Sequence, residues 1–144
     1  MMTNIVHQLD IHAPAADVRS AVTTEAGLAA FWTDQVRAEP AVGSKAWFGF
    51  GPNAEISFTF EVTAIEDHRV EWKCIDGPDE WVGTTVRWLL TPTDHGTTVR
   101  FEHRDWRTAD GDLGSCSYTW AQILNRLSSY VANGTVDPFF RKTG

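Results

Sequence analysis

Up to His103 the chain mostly alternates apolar and polar residues; in its last third the apolar positions instead recur every three or four residues. Ile56, Phe58, Phe60, Val62 and Ala64 alternate with Ser57, Thr59, Glu61 and Thr63, which predicts a strand with one buried face. Asn4 to His12 repeats the pattern with Ile5, His7, Leu9 and Ile11. So do Val70, Trp72 and Cys74, then Thr84, Val86, Trp88 and Leu90, and finally Val99, Phe101 and His103, with Asp105 continuing the parity. Gln35 to Glu39 and Lys45 to Phe50 add two shorter strands. The segments AVGS, GPNA, EDHR and TPTDHG carry the residues of turns and loops, so the reading is six or seven strands in an antiparallel meander.

Two short helices interrupt the strands early. In PAADVRSAVTT, Pro14 stands near the first turn, where its missing N–H is harmless, and Val18 and Val22 share a face. EAGLAAFW, Glu25 to Trp32, has an apolar edge of Leu28, Phe31 and Trp32. The longest helical pattern is LGSCSYTWAQILNRLSSYVAN, Leu113 to Asn133, whose Trp120, Ile123, Leu124, Leu127, Tyr130 and Val131 lie on one face. That face needs a large partner, and the buried side of an antiparallel sheet is the one available. Gly114 and Ser115 make a weak start to this helix.

With 144 residues and 42% hydrophobic content, the chain reads as one domain, residues 1–144, able to bury a core without disulfides. Seven Trp and eight Phe give that core unusual aromatic weight. Twelve basic against 19 acidic residues leave a net charge of −7 with no basic block, which argues against nucleic-acid and anionic-membrane partners. No apolar run approaches a membrane span, and MMTNIVHQLD lacks the pattern of a signal peptide, so a cytoplasmic protein is expected. Cys74 and Cys116 stand alone, without the spacing of a zinc knuckle or disulfide framework.

The order of short motifs resembles the START-like (SRPBCC) superfamily, and more narrowly the heat-shock chaperone ATPase activator homologue family. The residues that carry the resemblance are Ile11-His-Ala-Pro14 with Val18, Phe31-Trp32 and Val42-Gly43. Further on they are Thr97-Thr98-Val99-Arg100-Phe101-Glu102-His103, Thr119-Trp120 with Leu124 to Leu127, and the tail Gly134 to Phe140. The resemblance implies an α+β helix-grip fold, a curved antiparallel sheet wrapped around the long C-terminal helix with a cavity between them. Two departures stand out: Thr119 where the family often has Gly, and Arg19 where it often has Trp or Phe.

Strand and helix parities nominate a cavity lining of Trp32, Phe48, Phe50, Phe58, Phe60, Trp72, Trp88, Phe101, His103, Cys116, Trp120 and Leu124. Such a lining suits a small hydrophobic or aromatic ligand, although aromatic stripes at these spacings also build solid cores. The cavity mouth is expected beside Gly114-Ser115, Trp106 and the loop RTADGD. His103 is the candidate polar contact, and as an acid or base, with Asp105 orienting it or Tyr118 assisting, it would serve a cyclase, dehydratase or hydrolase. Glu80 is a further group placed near the same space. No cofactor is implied and no metal: the five His are scattered, and GxSxG, Walker and GxGxxG motifs are absent. Trp47, Trp81 and Trp106 fall outside the inward parities or near strand ends, which makes them closures of the cavity mouth or a contact surface for a homodimer or other partner. A chaperone-associated interaction module is the third reading, and it rests on the family resemblance.

Overall fold

The computed structural model describes residues 2–142. Strands β1 (Thr3–Ile11), β2 (Val36–Arg37), β3 (Lys45–Phe50), β4 (Ile56–Glu66), β5 (Arg69–Asp76), β6 (Thr85–Thr93) and β7 (Gly96–Trp106) form one sheet in the order β1-β7-β6-β5-β4-β3-β2. Every neighbouring pair is antiparallel. Register shifts in β4, between Thr59 and Phe60 and between Val62 and Ala64, bend the sheet as bulges do. Helices α1 (Ala15–Thr23), α2 (Glu25–Phe31) and α3 (Leu113–Asn133) complete the helix-grip architecture that the alternation and the motif order predict.

Thr24 joins the two short helices. Its N–H donates to the Ser20 carbonyl, closing α1, while its side-chain oxygen accepts from the Gly27 N–H and opens α2. Gly27 is required by close approach: a Cβ there would lie 2.3 Å from the Ala21 carbonyl oxygen. Helix α3 ends at Gly134, whose φ of 75° is the left-handed conformation that releases a chain from a helix. The inward faces meet in a core of Trp72, Trp88, Phe101, Phe60 and Phe48 from the sheet with Trp120, Leu124 and Leu127 from α3.

The outer face of the sheet is charged. Glu102 is 5% exposed and accepts hydrogen bonds from Arg100 at 2.8 Å and Arg104 at 3.2 Å, with Arg87 at 3.5 Å. Burial raises its pKa, but the guanidinium groups of Arg100 and Arg104 outweigh this and hold it below the ordinary value. Arg87 continues the ladder to Glu71, which Arg69 also binds. No helix of the described residues is long and apolar enough to cross a membrane.

One strand departs from strict alternation. Asp105 takes φ 70°, and its N–H donates to Asn4 Oδ1 at 3.0 Å where the β1–β7 register shifts. This bulge turns Trp106 inward, fully buried, in the place that continued parity assigns to Asp105. Trp81 is likewise buried, at 7% exposure, so neither ring lies on the surface. Trp47 alone of the three is partly exposed.

Candidate functional site

A cavity of about 300 Å³ opens at one end of the space between α3 and the sheet. Phe50 closes β3 and Ile56 and Phe58 begin β4, so the tip of this hairpin supplies one wall. Trp32, at the end of α2, forms the floor with Trp120, the two ring centroids being 4.9 Å apart. Pro78 and Trp81 come from the β5–β6 loop, Asp112 from the N-cap position just before α3, and Ser115, Cys116, Thr119 and Ile123 from the first half of α3. Phe140 covers the remaining side.

Two tertiary clamps hold those loops in place. In the tail, the N–H groups of Asp137, Phe139 and Phe140 donate to the carbonyls of Ala30, Phe31 and Trp32, giving the end of α2 the partners a helix terminus lacks. That strap places the Phe140 ring 4.9 Å from Phe50, edge on. On the opposite side, Glu80 Oε1 accepts from the Asp112 N–H at 3.0 Å, and Arg107 donates to the carbonyls of Val82 and Asp79. Glu80 thus serves the start of α3, where Asp112 gives no side-chain cap. A negative group is favourable at that helix end. Gly111 makes room for it, since a Cβ there would meet the Glu80 carboxylate at 2.2 Å.

The residues nominated from parity divide into two groups. Trp32, Phe50, Phe58, Cys116 and Trp120 line the cavity. Phe48, Phe60, Trp72, Trp88, Phe101, His103 and Leu124 are buried in continuous packing outside it. Trp120 is the divider, with its ring 4.5 Å from Phe101 on the packed side. Trp81, Asp112 and Ser115, expected at the mouth, line the cavity too, and Ile56, Pro78, Thr119, Ile123 and Phe140 join them without having been nominated. Ile56 and Ile123 already carried strand and helix periodicity; Pro78, Trp81 and Phe140 lie in segments with no period to follow. Trp106 is sequestered in the core, so the mouth lies beside Ser115, Pro78 and Ile56.

His103 is held in one protonation state by its partners. The Trp120 Nε1–H donates to Nδ1 at 3.2 Å, and the Thr84 hydroxyl donates to the Trp81 carbonyl at 2.6 Å. Thr84 Oγ1, 2.8 Å from Nε2, therefore accepts the remaining ring proton. Burial pushes the His103 pKa down to about 3, so the ring is neutral at physiological pH with both nitrogens engaged. The groups expected to assist it lie elsewhere. Asp105 is turned away by the bulge and makes no hydrogen bond to His103, and Tyr118 is 73% exposed. Cys116 reaches the cavity as a thiol, its pKa raised by burial to about 11, and Cys74 is likewise raised by burial to about 11.

What this arrangement offers is an apolar, ring-walled space with its polar atoms along one edge of α3. No curated protein matches the chain. Among solved structures, the solution structure of the Aha1 dimer from Colwellia psychrerythraea superposes with a TM-score of 0.82 at 29% identity, covering 92% of this chain and 98% of that one. A Mesorhizobium loti protein gives 0.76 at 21% identity, over 88% and 95% of the two chains. An AHSA1-like protein from Aeromonas hydrophila gives 0.72 at 18% identity, over 94% and 96%. The model of the family described as Activator of Hsp90 ATPase homolog 1-like protein matches residues 12–132, from the end of β1 almost to the end of α3, and the chain belongs to that family.

Proposed function

We propose that this chain binds a small hydrophobic or aromatic molecule in the cavity between the β3–β4 hairpin, the β5–β6 loop and the first half of α3. The observation that carries the reading is the cavity itself: about 300 Å³, walled by three Trp and three Phe and bordered by polar groups on α3 alone. That volume stands at the lower end of small-molecule sites, roughly 300 to 1,000 Å³, and suits a body of one or two fused rings. Trp32, Trp81 and Trp120 make occupancy visible, because a ligand stacked on them changes their emission. Titration with one- and two-ring aromatics is expected to give a saturable change in Trp fluorescence and a raised Tm; a panel that produces neither removes the reading.

The enzyme alternative draws less support, since His103 has neither a free lone pair nor a place in the cavity wall. The Colwellia protein is a dimer in solution, and at 29% identity this supports a homodimer here, with light scattering expected to return twice the 16.1 kDa chain mass. A monomer mass would withdraw it. A single domain spanning the whole chain and a cytoplasmic location remain part of the proposal. A chaperone association rests on the family description, and the cavity does not bear on it.

A further inference from the structure

The cavity has one ionisable carboxylate in its lining and no basic residue. Asp112 stands at the rim, exposed, at the start of α3. Its backbone is engaged, the N–H with Glu80 and the carbonyl with Cys116 N–H and Ser115 Oγ. Its carboxylate has neither a hydrogen bond nor an ion pair among the described residues, and it does not cap the helix. Glu80 adds a second negative group on the same side, and both carboxylates act on the Cys116 thiol inside the cavity, raising its pKa behind the larger effect of burial. Trp32, Trp81 and Trp120 also contribute rings to the wall, and the face of such a ring attracts a cation. Ser115 spends its hydroxyl proton on the Asp112 carbonyl, so its oxygen is left as an acceptor.

The Asp112 carboxylate, the neighbouring Glu80 and the Trp rings favour positive charge, and the positive end of α3, which favours an anion, already has Glu80 as its partner through the Asp112 N–H. We infer that the cavity selects an aromatic or apolar amine, with the rings buried against the Trp walls and the ammonium group at the rim beside Asp112. The inference rests on the cavity being a ligand site and adds the charge of the ligand. A fatty acid or aryl carboxylate of equal size would bring its negative group against Asp112 with no basic residue in the lining to receive it. An exposed rim pair of this kind is modest and salt-sensitive, so the expected selectivity is at most about fivefold at low salt and shrinks as salt is raised.

Three probes with the same ring body separate the outcomes: 2-naphthylmethylamine, 2-naphthalenemethanol and 2-naphthoic acid, titrated calorimetrically at neutral pH. The amine is expected to bind up to about fivefold more tightly than the alcohol, and the acid least tightly. In Asp112→Asn the amine should fall to the affinity of the alcohol while the alcohol is unchanged. That substitution removes no hydrogen bond of the fold, and an unchanged Tm verifies it. Equal affinities of amine and alcohol for the native protein, or an amine preference that survives in Asp112→Asn, overturn the charge assignment and leave the cavity reading intact. Failure of all three probes to bind removes both.

Discussion

The two ends of the space between α3 and the sheet are built from the same kinds of side chain, yet one is packed solid and the other holds a cavity. In the solid end, Trp72, Trp88 and Phe101 stand on adjacent strands, with ring centroids 5.8 and 4.9 Å apart, and Trp120 closes on them from the helix. In the open end, Phe50, Ile56 and Phe58 stand at the tip of a hairpin, and the facing groups come from a loop and a tail. Strand spacing sets neighbouring side chains a fixed distance apart, so rings on paired strands fill the layer above them. Where the ladder ends, spacing depends on how loops are clamped. The Glu80 to Asp112 bond and the tail strap on α2 hold the loop and tail that carry Trp81 and Phe140.

The largest test compares truncation at the two ends. Phe101→Ala removes a fully buried ring from the solid end and is expected to cost about 3–5 kcal/mol in urea unfolding. Ile56→Ala, at a residue 54% exposed on the cavity rim, should change stability by no more than about 0.5 kcal/mol. Comparable losses at the two sites would erase the distinction.

A second test uses pH. His103 belongs to the solid end, and its pKa is lowered from 6.5 to about 3 by burial. Below the unfolded value the unfolded chain binds a proton that the folded chain refuses. The contribution is therefore complete above about pH 6.5 and lost progressively as pH falls toward 3. Between pH 7 and pH 5, above the carboxylate range, the native protein should lose about 2 kcal/mol from this group. In His103→Gln that loss should disappear, although the variant starts lower because the Trp120 N–H loses its acceptor. Parallel declines in the two proteins would show that His103 is accessible to solvent.

The smallest effect comes from adding volume. Leu127→Phe, in the solid end, is expected to cost about 1–3 kcal/mol through overpacking. Ile123→Phe has the cavity to extend into and should cost less than about 1 kcal/mol. It should also weaken binding of the aromatic probes. If Ile123→Phe binds them as well as the native protein does, the ligand sits elsewhere.

Much of this molecule can be traced to local pattern. The range Leu113–Asn133 for α3 and Lys45–Phe50 for β3 coincide with the observed elements, because periodicity reports directly which side of an element is buried. Parity also placed Trp32, Phe50, Phe58 and Trp120 on the inner face, where they line the cavity. It placed Phe48, Trp72, Trp88 and Phe101 on the same face, and these are core. The bulge at Asp105 shows the limit within a single strand. One left-handed residue, held by Asn4 about a hundred positions away in sequence, reverses the parity of Trp106, which follows it.

By itself, then, the sequence determined the elements, their inward faces and the family, because each is written in short-range alternation and in the order of motifs. Only the tertiary structure decided where the void lies, that His103 is a neutral bridge between Trp120 and Thr84, and that the Asp112 carboxylate belongs to the cavity lining. Those features depend on distances between segments far apart in the chain. A cavity is a shortfall of side-chain volume between such segments, and a buried histidine takes its charge state from partners that meet it only after folding.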